Sequence, residues 1–322
     1  MRFALGLSVA LAAAAAAAAT GCRAGAPQEE PSDSGTADDG PTTDERSPQE
    51  AAAPLPEASL VGDEGATEPT DCPASTKLIY VASEERQLYS FDPVHVTFQL
   101  VGNIDCAQGI YVNSMAVDRQ GNGWINYGDG SLWETSLASG GCTATSFVPN
   151  QQGVGLFGMG FSTLTPGTAT DTLLIDDLSG GGLGMIELAS MTLMRFGPFP
   201  GSLANRTCEL TGTGDGRLFG FFAGSFYDDA SAAAVMQLDP NTEEATQQWP
   251  LPTIDTGSDW AFAFWGGDFY LFVADKYDES DPYTTVSRFD PSDGTLTMLA
   301  QNIGFRVVGA GSSTCAPTSV TQ

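Results

Sequence analysis

Paired carboxylates are the residues of this chain best suited to chemistry. Two carboxyl groups on either side of a glycosidic bond can act as general acid and as base or nucleophile. The chain has 40 Asp and Glu against 12 Lys and Arg, a formal net charge of −28. Glu209 and Asp259 are the candidate pair because each opens a short apolar run, and Trp260 beside Asp259 offers a flat face on which a sugar could stack. Together these three residues form a candidate ligand rim. The plainer alternative is that so acidic a protein places carboxylates everywhere.

A second candidate is the run Asp275-Lys276-Tyr277-Asp278-Glu279-Ser280-Asp281. Asp275, Asp278, Glu279 and Asp281 would serve calcium, which takes about six to eight oxygens from flexible loops. The spacing is not that of an EF-hand, and no Gly stands at the sharp turn, so a solvated acidic loop competes with the metal reading. Asp176-Asp177 and Asp228-Asp229 fall in equivalent loops, and a cation shared across one face is the form such a site would take. No other cofactor is indicated.

Other chemistries find little support. His95 is the only histidine, which leaves no Ser-His-Asp triad and no His-rich metal site. Gly212-Thr213-Gly214-Asp215-Gly216 lacks the Lys and the helix of a phosphate loop and reads as a tight hairpin turn. The acidic balance argues against nucleic acid or an anionic membrane surface as partner.

The elements that must position these residues are β-strands. From Cys72 onward helical periodicity is nearly absent, and short β-rich runs alternate with Gly, Asp-Pro and Asp-Gly turns. One phrase recurs, a strand ending in an Asp-Pro turn: Tyr89 to Pro93, Met236 to Pro240 and Ser287 to Pro291. Two strands precede each phrase. The first is Gly-rich or aromatic: Ser114 to Val117, Gly158 to Phe161, Glu209 to Gly212, Trp260 to Phe264, and Val307 to Gly311. The unit is four strands repeated about every fifty residues, and a unit that cannot bury its own faces must stack on its neighbours. Four antiparallel strands make a propeller blade. The first unit, from Leu78, lacks its first strand, and Val307 to Gly311 is a first strand with nothing after it. The predicted fold is therefore an all-β, five-bladed propeller closed by N- and C-terminal strands. The alternatives are a six-bladed propeller or a β-sandwich.

Closure makes a prediction about the cysteines. Cys72 precedes the second strand of the closing blade and Cys315 follows its first, so a Cys72–Cys315 disulfide would staple the ring shut. Of Cys106, Cys142 and Cys208, at most two can pair within the chain. Cys106–Cys142 is favoured by closeness in sequence, although strand counting places the two nearer opposite faces.

The chain begins with Arg2, an Ala-rich apolar stretch, and Thr20-Gly21-Cys22. This is the form of a bacterial lipoprotein signal, with cleavage before Cys22 and palmitate-type acylation of its sulfur. An ordinary signal peptide cut after an alanine is the alternative. Residues 1–21 are then the signal and 22–71 an acidic tether expected to be disordered, with thirteen acidic residues against Arg23 and Arg46 and no aromatic residue. Residues 72–322 form the propeller domain. Such a protein meets a membrane through acyl chains on Cys22 and belongs to the cell envelope, facing periplasm or cell surface. Arg23 after the acylated residue favours the outer membrane.

Ser114 to Asp118, Phe157 to Phe161, Glu209 to Leu218 and Ala261 to Phe269 together resemble a group of uncharacterised bacterial secreted lipoproteins with a propeller-like domain. The resemblance spans about Leu78 to Pro317. It implies address and fold and brings no activity or site residues. The function expected is that of a binding or scaffold module with a protein or glycan ligand on one face of the ring. The competing expectation is a carbohydrate-active enzyme working through carboxylates at the funnel.

Overall fold

The computed structural model describes residues 72–224, 232–274 and 283–319. Within them the strands form five four-stranded antiparallel sheets. The second blade contains β4 (Val112–Val117), β5 (Asn122–Tyr127), β6 (Leu132–Ser136) and β7 (Cys142–Ala144). The third contains β8 (Phe157–Ser162), β9 (Thr172–Asp177), β10 (Gly182–Glu187) and β11 (Thr192–Gly197). The fourth contains β12 (Cys208–Gly212), β13 (Leu218–Phe222), β14 (Ala233–Leu238) and β15 (Ala245–Leu251). The fifth contains β16 (Asp259–Trp265), β17 (Asp268–Ala274), β18 (Thr285–Asp290) and β19 (Thr295–Ala300). The first blade is the closing one: β20 (Val307–Ser312) from the C-terminal end, then β1 (Ile79–Ser83), β2 (Gln87–Asp92) and β3 (Thr97–Asn103).

The architecture is a five-bladed β-propeller, neither six-bladed nor a sandwich. β20 and β1 run antiparallel with Ile79 opposite Ser312 and Val81 opposite Ala310. This pairing removes the two free edges that an open ring would expose.

Five hydrophobic clusters hold the ring, one at each seam between blades. The seam of the fourth and fifth blades is aromatic: Phe219, Phe262, Phe264 and Phe269 all meet there. Glycine lets the inner strands touch. At Gly160 a Cβ would stand 2.7 Å from the Leu210 carbonyl oxygen, and at Gly158 it would collide with the Cys208 carbonyl. β8 and β12 therefore pack backbone against backbone, which only a residue without a side chain allows.

Two disulfides are formed. Cys72–Cys315 joins residues 243 apart, and Cys106–Cys142 joins residues 36 apart. Strand counting places Cys106 and Cys142 on opposite faces because it treats strands as upright. Each strand is instead rotated by roughly 20–25° from its neighbour. By the fourth strand the accumulated twist swings the outer turn of one blade against the crossover that leaves the preceding blade. The Ser136–Gly141 turn accordingly lies against Gly102 and Asn103 at the end of β3. The same relation brings Gln151 to Met191 and Gly197 to Glu243. Cys208 remains a free, buried thiol.

Candidate functional site

The ring has two unlike faces. One carries the turns between the first and second strands of each blade, and Cys72 begins the described chain there. The other carries the crossovers between blades. The segment after β20 lies across the first face and touches the other four blades in turn. The Cys315 sulfur lies 4.0 Å from the Arg119 carbonyl oxygen of the second blade. Thr314 Oγ1 donates to Asp171 of the third at 2.7 Å. The Thr314 backbone packs on Gly214 of the fourth, and the Gly266 N–H of the fifth donates to the Pro317 carbonyl at 2.7 Å. With Cys315 bonded to Cys72, this segment is a covalently held plug.

Behind the plug the axis is filled. Glu209, expected on the rim, is only 6% exposed. Ser114 Oγ of the second blade reaches across to donate to its Oε2 at 2.6 Å, and the Met159 backbone also donates to it. This corrects the rim assignment: Glu209 sits one residue inside β12, where the neighbouring inner strands close over it. Lower down, the Thr211 and Ser312 hydroxyls meet at 3.4 Å, and Thr211 Oγ1 accepts the Phe264 N–H.

Burial governs the protonation of this core. Asp176 on β9 is fully buried; its Oδ2 accepts the Cys208 N–H at 2.8 Å, and its Oδ1 has no partner. Loss of water pushes both Asp176 and Glu209 well above the carboxylate range, and the charge of Asp176 adds to the effect at Glu209. Burial, then the neighbouring carboxyls, likewise push up the Cys208 thiol, which removes it as a nucleophile.

Asp259 and Trp260 begin β16 on the crossover face and are half-buried. Asp259 Oδ2 is 2.7 Å from Arg306 Nη1 and accepts the Ser258 hydroxyl. Arg306 also reaches Glu84 at 3.6 Å. The indole N–H of Trp260 has no partner. The structure therefore keeps Trp260 beside Asp259 on one face and separates both from Glu209, which is sealed in the axis.

Asp177 is buried and pairs with Arg195 at 3.3 Å, so the Asp176-Asp177 pair is no open calcium loop. The other members of the calcium reading, Asp275, Asp278, Glu279, Asp281 and Asp228-Asp229, lie outside the described residues, as does Cys22. Among the described residues no three His, Cys, Asp or Glu side chains converge on a common point. His95 is an exposed turn residue bonded to Asp92.

Sequence reasoning missed a groove of about 480 Å³ on the flank of the ring. It lies where the crossover 252–258 of the fourth blade approaches β17, β18 and β19 of the fifth. Ile254, Asp255, Val273, Tyr283, Thr285 and Ser287 line it. A signal existed, because the crossover reads Pro252-Thr253-Ile254-Asp255 and brings no large apolar residue other than Ile254. Weighing it required knowing that crossovers fill seams.

No protein-family profile matches the chain, and no curated protein matches it. Solved structures do resemble it. One is the extracellular domain of a proposed one-component system from B. thetaiotaomicron, at 14% identity and TM-score 0.37. It covers 70% of this chain, which spans 26% of that one. Another is a protein of unknown function from Bacteroides caccae, at 11% identity and TM-score 0.40, covering 73% of this chain and 97% of that one.

Proposed function

We propose that this chain is an envelope lipoprotein, anchored through acyl chains on Cys22, whose propeller is a binding or scaffold module. Its crossover face would meet a protein or glycan ligand. The observation that carries the reading is the closed axis. A glycosidase needs two carboxyl groups facing a substrate, whereas Glu209 is buried against Ser114 and Asp259 is engaged by Arg306. A filled axis leaves the surfaces of the ring to act. Two disulfides fit a compartment beyond the reducing cytoplasm, and Trp260, half-buried on the crossover face, leaves part of its side chain for an apolar contact.

Two measurements test this. Cells expressing the full chain should incorporate labelled palmitate, and the Cys22→Ser variant should not; equal labelling of both removes the anchor. Purified wild-type chain should retain an envelope protein or glycan that Trp260→Ala fails to retain. Hydrolysis of an oligosaccharide by wild type but not by Glu209→Gln would restore the enzyme reading.

A further inference from the structure

We infer that the flank groove between the fourth and fifth blades is a binding site for an uncharged saccharide. The inference deepens the binding-module reading and rests on it, and it assigns one place, the outer flank where the 252–258 crossover meets the fifth blade.

The argument begins with what the other seams contain. Each crossover drops large side chains into the seam ahead of it. Ile104 and Cys106 fill the seam of the first and second blades, and Phe147 and Val154 the next. Phe199 and Leu203 fill the seam of the third and fourth blades. Phe305 closes the seam from the fifth blade to the first, stacking on Tyr89 at 4.1 Å between ring centroids. All seven of these residues are buried. At the corresponding place, the crossover from the fourth blade offers Ile254, half-buried between the exposed Thr253 and Asp255, and the small buried Thr256. The groove left there measures about 480 Å³ and is open to solvent. It falls in the roughly 300–1,000 Å³ range of small-molecule sites.

The lining selects the ligand. One wall is the sheet face of the fifth blade, where Val273 and Leu296 give an aliphatic stretch, and the exposed Tyr283 stands beside it. The phenol ring and the aliphatic wall suit the C–H face of a pyranose. The same sheet face carries the hydroxyls of Thr285 and Ser287, and the crossover facing it brings Ile254 and the carboxylate of Asp255. Asp255 Oδ1 accepts the Gly257 N–H at 3.1 Å, which orients the carboxylate. Hydroxyls and a carboxylate match a ligand that is itself rich in hydroxyl groups. Among the described residues no Lys, Arg or His lines the groove, so none of them neutralises a phosphate, sulfate or uronate there.

The test uses the full chain, titrated calorimetrically with maltotriose, cellotriose and mannotriose, and with trigalacturonate and spermidine as charged controls. At least one neutral trisaccharide should bind saturably with a Kd of about 1 mM or tighter. Tyr283→Ala should weaken it by about tenfold or more. Thr253→Trp, an exposed substitution that supplies the bulk other crossovers carry, should abolish it without lowering Tm. Met194→Ala, an exposed substitution on the third blade, should leave it unchanged. The inference is overturned if no neutral trisaccharide binds at about 10 mM, if only a charged control binds, or if binding survives Thr253→Trp. Persistence of binding in both groove variants would put the sugar elsewhere on the ring, sinking this inference while sparing the binding module. Failure of every sugar alongside retention of an envelope protein would do the same, whereas failure of both would end both readings.

Discussion

The axis and the flank groove are opposite solutions to packing the same repeat. At the axis five inner strands converge until β8 and β12 touch through Gly158 and Gly160, and the remaining space is taken by Glu209, Ser114, Thr211 and Ser312. On the flank, sheet twist spreads the outer strands, and each seam depends on what its crossover delivers. Four crossovers deliver large buried side chains and the fifth does not. In a small propeller, the centre is therefore closed by geometry, and open volume is decided by a few loop residues.

Each side of this contrast can be broken. The largest effect should come from the plug. Replacing Cys72 and Cys315 together by Ser should cost on the order of 4 kcal/mol, because the bond closes a very long loop. Urea melts of wild type and variant would measure it, and an unchanged midpoint would mean that the plug does not hold the ring. Next, Gly158→Ala forces a Cβ onto the Cys208 carbonyl and should cost about 2–3 kcal/mol; a neutral result would show that the inner strands are not in contact.

The buried carboxyls predict a pH dependence. Folding raises the pKa of Asp176 and Glu209, so the native state keeps protons that the unfolded chain releases. Their contribution is favourable at acid pH and declines as pH rises from the ordinary carboxylate range toward the raised values. Glu209→Gln keeps an acceptor for Ser114 and cannot ionise. It should match wild type near the acid end and exceed it by about 1 kcal/mol above neutrality. A variant that matches wild type at acid pH but is less stable above neutrality would show that the charged form of Glu209 holds the axis. The smallest effect belongs to the flank: Thr253→Trp should raise stability by about 0.5–1 kcal/mol through added burial, and a loss would mean that the seam cannot accept a side chain there.

The repeat was legible because period-two strands and Asp-Pro turns are local signals. β4, β8, β12, β16 and β20 fall where the Gly-rich and aromatic phrases stand, and the Cys72–Cys315 pairing followed from counting strands to the chain ends. The candidate site was less legible. Glu209 was placed near the mouth from its position at the start of a strand, yet its side chain is buried because three blades meet over it. The meeting of Cys106 with Cys142 was hidden by the same omission, since an upright-strand count contains no twist.

The amino-acid sequence by itself determined the strand periodicity, the number of units, the shared closing blade and the cysteines that staple it, because each depends on near neighbours or on order along the chain. Tertiary structure alone decided that the axis is sealed, that Glu209 lies inside it, and that the fourth and fifth blades part around a groove. Those outcomes depend on sheet twist and on side-chain volumes drawn from segments some fifty to a hundred residues apart, a sum that no local pattern records.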